Sequence, residues 1–220
     1  MVPLFAASCL LFAQKGAAPG AAAEWNLVFA DEFNGTEIDL MKWVPHEPAA
    51  RAQTYAPQAV AVNGGQLHIV ARASTPGTVT TFGTFAQTYG RFEIRCKVPA
   101  GRGLRSRFRL LPVPYGPLPE IGVFETDSGA PSKVSFANRW GTEQTERSFG
   151  DSFATPDLSA AFHVFAVEWD RDKIAWFTDG KKRFESADGV PRQPMFLALE
   201  LGGGDGSLDV DYIRVYRRLE

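Results

Sequence analysis

From Trp25 to Tyr216, apolar and polar residues alternate in short runs cut by glycine, proline, aspartate and asparagine. A period of two over a few residues marks a strand with one face buried. It predicts strands over residues 25–29, 66–71, 90–95, 163–169, 173–177 and 208–216. In the last of these, Leu208, Val210, Tyr212 and Arg214 are expected on one face, and Asp209, Asp211, Ile213 and Val215 on the other. Thr178-Asp179-Gly180-Lys181 predicts a tight hairpin, because Asp-Gly supplies the positive φ angles of a type I′ turn. No stretch holds a helical period beyond a turn or two. Short strands at regular spacing argue for an antiparallel sandwich or barrel. Without an internal repeat or a linker, one domain over residues 24–220 is the economical reading.

The chain has 220 residues, 45% hydrophobic and 12% aromatic, enough for one large all-β domain or two small ones. Its formal charge of −2 argues against a nucleic-acid or anionic-membrane partner. Residues 1–23 differ in composition. Leu4 to Ala13 is an apolar run followed by Ala17-Ala18 and Ala21-Ala22-Ala23. It is too short to cross a bilayer, which takes roughly 20 residues. It fits the apolar part of a secretory signal, although no positive segment precedes it. A disordered Ala-rich tail is the alternative, and Ala6-Ala7-Ser8-Cys9 loosely resembles a lipoprotein cleavage box. The export reading predicts a secreted or periplasmic protein.

The two cysteines, Cys9 and Cys96, make no disulfide framework or metal pattern. Cys96, inside a strand-like run, reads as a small packed residue. His46, His68 and His163 are scattered, and the latter two are expected to be packed or hydrogen-bonded. No phosphate loop, nucleotide fingerprint or serine-nucleophile elbow is present.

The candidate chemistry lies in Glu120-Ile121-Gly122-Val123-Phe124-Glu125. Two acids five apart stand in an apolar, strand-like run after the turn Pro114-Tyr115-Gly116-Pro117. Acids are rare in buried strands unless they have a partner or a task. Alternate residues of a strand share a face, so Glu120 and Gly122 point together. Glu125 joins them only if one extra residue is bulged out. With the bulge, two carboxyls reach one groove, where a retaining glycosidase needs them about 5–5.5 Å apart. Without it, they are ordinary sheet acids on opposite faces.

Several stretches beyond this hexapeptide resemble glycoside hydrolase family 16, the β-jelly-roll group of laminarinases, lichenases and related endo-glycanases. They are the opening Trp25–Gly35 with Ile38-Asp39 and Lys42-Trp43, and the Tyr89-Gly90-Arg91-Phe92-Glu93 stretch. The Pro99–Leu104 turn and the closing runs Phe165–Trp169 and Val210–Tyr216 complete the set. The resemblance covers about residues 25–217. It implies an all-β antiparallel β-sandwich of jelly-roll (concanavalin-like) form. It also implies retaining hydrolysis of a β-linked polysaccharide, such as a β-1,3 or β-1,3/1,4-glucan, by a monomer with no catalytic cofactor. By position Glu120 resembles the nucleophile and Glu125 the acid/base.

The chain departs from the family's Glu-x-Asp-x-x-Glu at its centre, where Gly122 replaces an aspartate that bonds the nucleophile. Two sugar-stacking aromatics are replaced by Arg105 and Arg109, on one strand face with Arg107. The three arginines read equally as a site for an acidic or sulfated glycan, as charge partners of the glutamates, or as a solvated edge. The altered motif keeps a non-catalytic glycan-binding descendant open as the alternative. Gln53, Tyr55, Tyr115, Asn138 and Trp140 are the remaining candidates for substrate contact, Gln53 and Tyr55 from an early loop where the family contributes glycan contacts, Tyr115 and Trp140 by stacking. The resemblance also implies a structural Ca²⁺ held by Glu32, the carbonyl of Gly64 and Asp211, with waters completing the shell.

Overall fold

The computed structural model describes residues 25–45, 59–72, 75–101 and 103–219. The expected N-terminal signal or tail, and with it Cys9, lies outside these residues, as do His46, Gln53 and Tyr55. The described strands, in chain order, are β1 (Trp25–Asp31), β2 (Val60–Asn63), β3 (Gln66–Ala71), β4 (Gly77–Thr80), β5 (Gly90–Lys97), β6 (Arg105–Pro112) and β7 (Glu120–Asp127). They continue with β8 (Lys133–Trp140), β9 (Arg147–Ala154), β10 (His163–Trp169), β11 (Ile174–Thr178), β12 (Lys181–Ser186), β13 (Met195–Gly202) and β14 (Gly206–Arg218).

Two antiparallel sheets form the jelly-roll sandwich. One has eight strands in the order β12-β11-β10-β5-β14-β3-β2, with β1 also on β14; the other runs β4-β13-β6-β7-β8-β9. β14 is long enough to pair β3 with its first half and β1 with its second. The inner faces meet in one main apolar cluster. Leu67, Phe92, Ile94, Phe165, Val167 and Trp176 come from the first sheet, and Phe108, Leu110, Ile121, Phe124, Phe136 and Leu199 from the second. Each fully buried Leu or Phe contributes about 1.5–3 kcal/mol relative to exposure. Phe124 packs on Phe165 at 4.4 Å between ring centres, tying β7 to the opposite sheet. Cys96 is a free thiol in the core, where burial pushes its pKa far up.

The predicted hairpin is present, with Asp179 at φ 49° and Gly180 at φ 74° between β11 and β12. His68 bonds Asp209 at 2.8 Å and His163 bonds Asp179 at 2.9 Å.

The face assignment of β14 needs correction. Its register against β5 shifts between Val210 and Tyr212, so Asp211 is an extra residue. Leu208 and Val210 face the core before the bulge, and Ile213 and Val215 after it. One inserted residue moves every later side chain to the other face. Tyr212 and Arg214 therefore lie on the outer face of the sheet, where the Arg214 guanidinium, 3.9 Å over the ring, helps to keep Tyr212 buried.

Candidate active site

The outer face of the six-stranded sheet carries the site. On β6 the apolar Phe108 and Leu110 turn into the core, which turns Arg105, Arg107 and Arg109 outward. On β7 the bulge needed to bring Glu125 onto the face of Glu120 is present. Against β6, Phe108 is opposite Phe124 while Arg109 is opposite Gly122, leaving Val123 without a partner. Against β8, Gly122 faces Ala137 and Glu125 faces Ser135, so Val123 and Phe124 together oppose Phe136. Both bulged side chains are buried in the core. Glu120, Gly122 and Glu125 consequently line the same cavity of about 200 Å³, with Arg107, Arg109, Ser135 and Arg139.

A second cavity of about 320 Å³ adjoins it, sharing Arg109, Glu120 and Arg139. Tyr115, Leu118, Glu143 and Glu146 line its far side. Tyr115 is partly exposed and lies against Phe82 and Phe196, at 6.2 and 6.1 Å between ring centres. The exposed ring of Tyr115 suits the apolar face of a sugar.

The two glutamates have unlike surroundings. Glu120 Oε2 faces Arg109 Nη1 at 3.3 Å, and its Oε1 is 3.9 Å from Arg139 Nη1. Among the described residues, no hydrogen bond or ion pair engages the Glu125 carboxyl. The arginines are in turn held by Glu200 of β13, which accepts from Arg107 at 2.7 Å and from Arg109 at 3.0 Å.

The other expected contact residues divide. Arg109 sits in the cavity but is only 12% exposed and tied to two carboxylates, which makes it a charge partner and not a free sugar contact. Arg105 is 65% exposed at the end of the strand, 3.6 Å from Asp127, and lines neither cavity. Asn138 does not reach the groove. It lies on the core side of β8 with Val134 and Phe136, fully buried, and donates to the carbonyl of Asp188 at 2.6 Å. Trp140 shares that parity and lies against the backbone of Gly189, where an added Cβ would fall 2.0 Å from the indole. The residue between them, Arg139, is the one that points into the site. Strand alternation alone would have singled it out.

Glu200 was missed, although the same signal that marked Glu120 was available: a single acid inside the apolar run Met195-Phe196-Leu197-Ala198-Leu199-Glu200-Leu201. Phe82 lies in a loop and carried no signal.

The expected calcium ligands are drawn to one region by topology. Glu32 follows β1, Gly64 turns β2 into β3, and Asp211 is the β14 bulge. Each acid already has a cationic partner. Glu32 takes Arg214 Nε at 2.7 Å on one oxygen and Nη2 at 3.0 Å on the other, and Asp211 takes Arg95 Nη1 at 2.5 Å. Hard-cation sites need carboxylate charge to spare, so this donor set does not fit Ca²⁺.

The family model for glycosyl hydrolases family 16 matches residues 48–209. The chain belongs to this family. A glucan endo-1,3-beta-glucosidase A1 of Niallia circulans is 29% identical across 90% of the chain, and a beta-glucanase of Rhodothermus marinus is 29% identical, also across 90%. The chain spans 38% of the first relative's length and 87% of the second's. The solved laminarinase from Rhodothermus marinus superposes with a TM-score of 0.78 at 28% identity, covering 89% of this chain and 98% of that one. Family 16 membership accords with the jelly-roll fold.

Proposed function

We propose that this family 16 chain is a retaining endo-hydrolase of neutral β-glucan, with β-1,3 or mixed β-1,3/1,4 linkages. The observation that carries the reading is the β7 bulge, which turns Glu120 and Glu125 into one open cavity. The relatives' names, an endo-1,3-beta-glucosidase and a beta-glucanase, support the substrate class. Charge supports neutrality. Arg107, Arg109 and Arg139 are offset by Glu120 and Glu200, and Glu143 and Glu146 line the adjoining cavity, leaving little net attraction for a sulfated or acidic chain.

In this mechanism the Glu120 carboxylate attacks the anomeric carbon as the glycosidic C–O bond breaks, and Glu125 gives its proton to the departing oxygen. Glu125 then takes a proton from water, whose oxygen attacks the same carbon and releases Glu120. Tyr115 offers a partly exposed ring for stacking in the cavity that it shares with Glu120. A polymeric glucan is met outside the cytoplasm, which accords with the apolar N-terminal run as an export signal.

One observation favours a second reading, glycan binding without cleavage. No aspartate stands at position 122 to bond the nucleophile. Reducing-end release from laminarin, lichenan and a sulfated galactan, with the anomer read by NMR, separates the two. Retention on a neutral glucan, with turnover reduced by orders of magnitude in Glu120→Gln and Glu125→Gln, is expected. Affinity for these glycans with no turnover on any of them means binding alone.

A further inference from the structure

Arg107 stands directly opposite Glu125 in the β6–β7 register, yet it does not bond that carboxyl. On its other side Arg107 is opposite Glu200 of β13, and its Nη2 donates to Glu200 Oε1 at 2.7 Å. The other oxygen of the same carboxylate, Oε2, accepts from Arg109 Nη2 at 3.0 Å. Arg109 in turn presents Nη1 to Glu120 at 3.3 Å. A single carboxylate on β13 thus grips both arginines. One is turned away from Glu125, and the other is held against Glu120. Gly122 lies opposite Arg109 and places no side chain in the space between the two glutamates.

We propose that Glu200 is a positioning residue that sorts the two arginines, so that a guanidinium serves Glu120 and none serves Glu125. The proposal rests on reading Glu120 as nucleophile and Glu125 as acid/base. Such a pair works only when its two carboxyls differ in protonation. A guanidinium beside a carboxyl stabilises the ionised form, which suits attack and opposes proton donation. With glycine at 122, β7 itself carries no acid between them to create the difference. It is created from β6 and β13.

The groups facing Glu125 are Arg107 from β6, Ser135 and Arg139 from β8, and Glu120 and Asp127 from its own strand, with Asp127 faced by Arg105. Of these, Arg107 is the cation directly across. Neutralising Glu200 releases Arg107 toward Glu125.

The test is a carbon-13 NMR titration of side-chain carboxyls in the intact protein, with the Glu125 signal assigned by its loss in Glu125→Gln. In Glu200→Gln the Glu125 midpoint is expected to fall by about one pH unit or more. Adding Arg107→Met to that variant is expected to return it. Arg107→Met alone is expected to leave the midpoint where it is, because Arg107 is already held elsewhere. In kinetics, the basic limb of the kcat/KM profile moves to lower pH in Glu200→Gln and returns in the double variant. An unmoved midpoint in Glu200→Gln overturns the proposal, and so does a raised one in Arg107→Met alone. If Glu200→Gln does not fold, the single Arg107 variant decides. The NMR arm needs no turnover, so a protein that cleaves no glycan refutes the hydrolase reading without deciding the sorting.

Discussion

Trp176 Nε1 donates a hydrogen bond to the carbonyl oxygen of Gly122 at 2.9 Å, wholly inside the core. The donor belongs to β11 of the eight-stranded sheet and the acceptor to the start of the β7 bulge. A bulge takes backbone groups out of the ladder, and a buried carbonyl left unpaired is costly. The indole supplies that missing partner. Its ring also stacks at 5.1 Å on Phe136, the residue opposite the bulge. The kink that aims Glu125 is therefore held from behind by the other sheet.

Replacing Trp176 by Phe removes the donor while keeping an aromatic ring. The orphaned carbonyl is expected to cost about 1–3 kcal/mol in a urea unfolding experiment, and the lost ring volume adds to it. Turnover should fall as well, since the position of Glu125 depends on the bulge. Unchanged unfolding and turnover would show that the bulge holds itself.

The arginines of β6 should differ sharply in worth. Arg109 is bracketed by Glu120 and Glu200, all three side chains being under 15% exposed. Arg109→Met leaves two carboxylates facing each other in a poorly hydrated site, and a loss of about 3–5 kcal/mol is expected. Arg105 and Asp127 are 65% and 49% exposed at 3.6 Å, and Arg105→Met should cost less than about 1 kcal/mol. Chemical denaturation of the two variants side by side checks the contrast.

Alkali should weaken the fold through Tyr212. Its hydroxyl donates to Glu93 at 2.9 Å beneath the Arg214 side chain. Burial first, and the Glu93 charge second, push its pKa well above the ordinary tyrosine value. The folded state thus keeps a proton that the unfolded chain gives up near pH 10. The stabilisation is complete below that pH and is lost as pH rises further. In Tyr212→Phe the decline of Tm above pH 10 should be shallower. An identical slope in both proteins rules this source out.

Chelation should have no effect on stability. Arg214 and Arg95 already occupy the carboxylates that a calcium ion would need. EDTA, or added Ca²⁺, is expected to leave Tm unchanged. A clear rise with Ca²⁺ would mean that the guanidiniums give way to the ion.

Much of this was legible in the chain. Alternation revealed β3 and β10 to the residue, because a strand with one buried face writes its period into the sequence. The acids at 120 and 125 stood out because apolar strands seldom hold charge. Where alternation was extended through a bulge it failed. Tyr212 and Arg214 were assigned to the face of Leu208, and one inserted residue at Asp211 reversed them. Asn138 and Trp140 are the contacts expected from sequence and Arg139 is not, although the parity of Val134 and Phe136 puts 138 inside and 139 out.

By itself, the order of apolar and polar residues determined an antiparallel all-β architecture and which residues carried candidate chemistry, because burial of one strand face is a local property. Only the tertiary structure decided how the charges pair. Glu200 is 75 residues from Glu125 in sequence (200 − 125), yet Arg107 stands opposite both of them, one on each adjacent strand. Such pairings follow from which strands become neighbours in a sheet, and that is set by the global packing of two layers around one core.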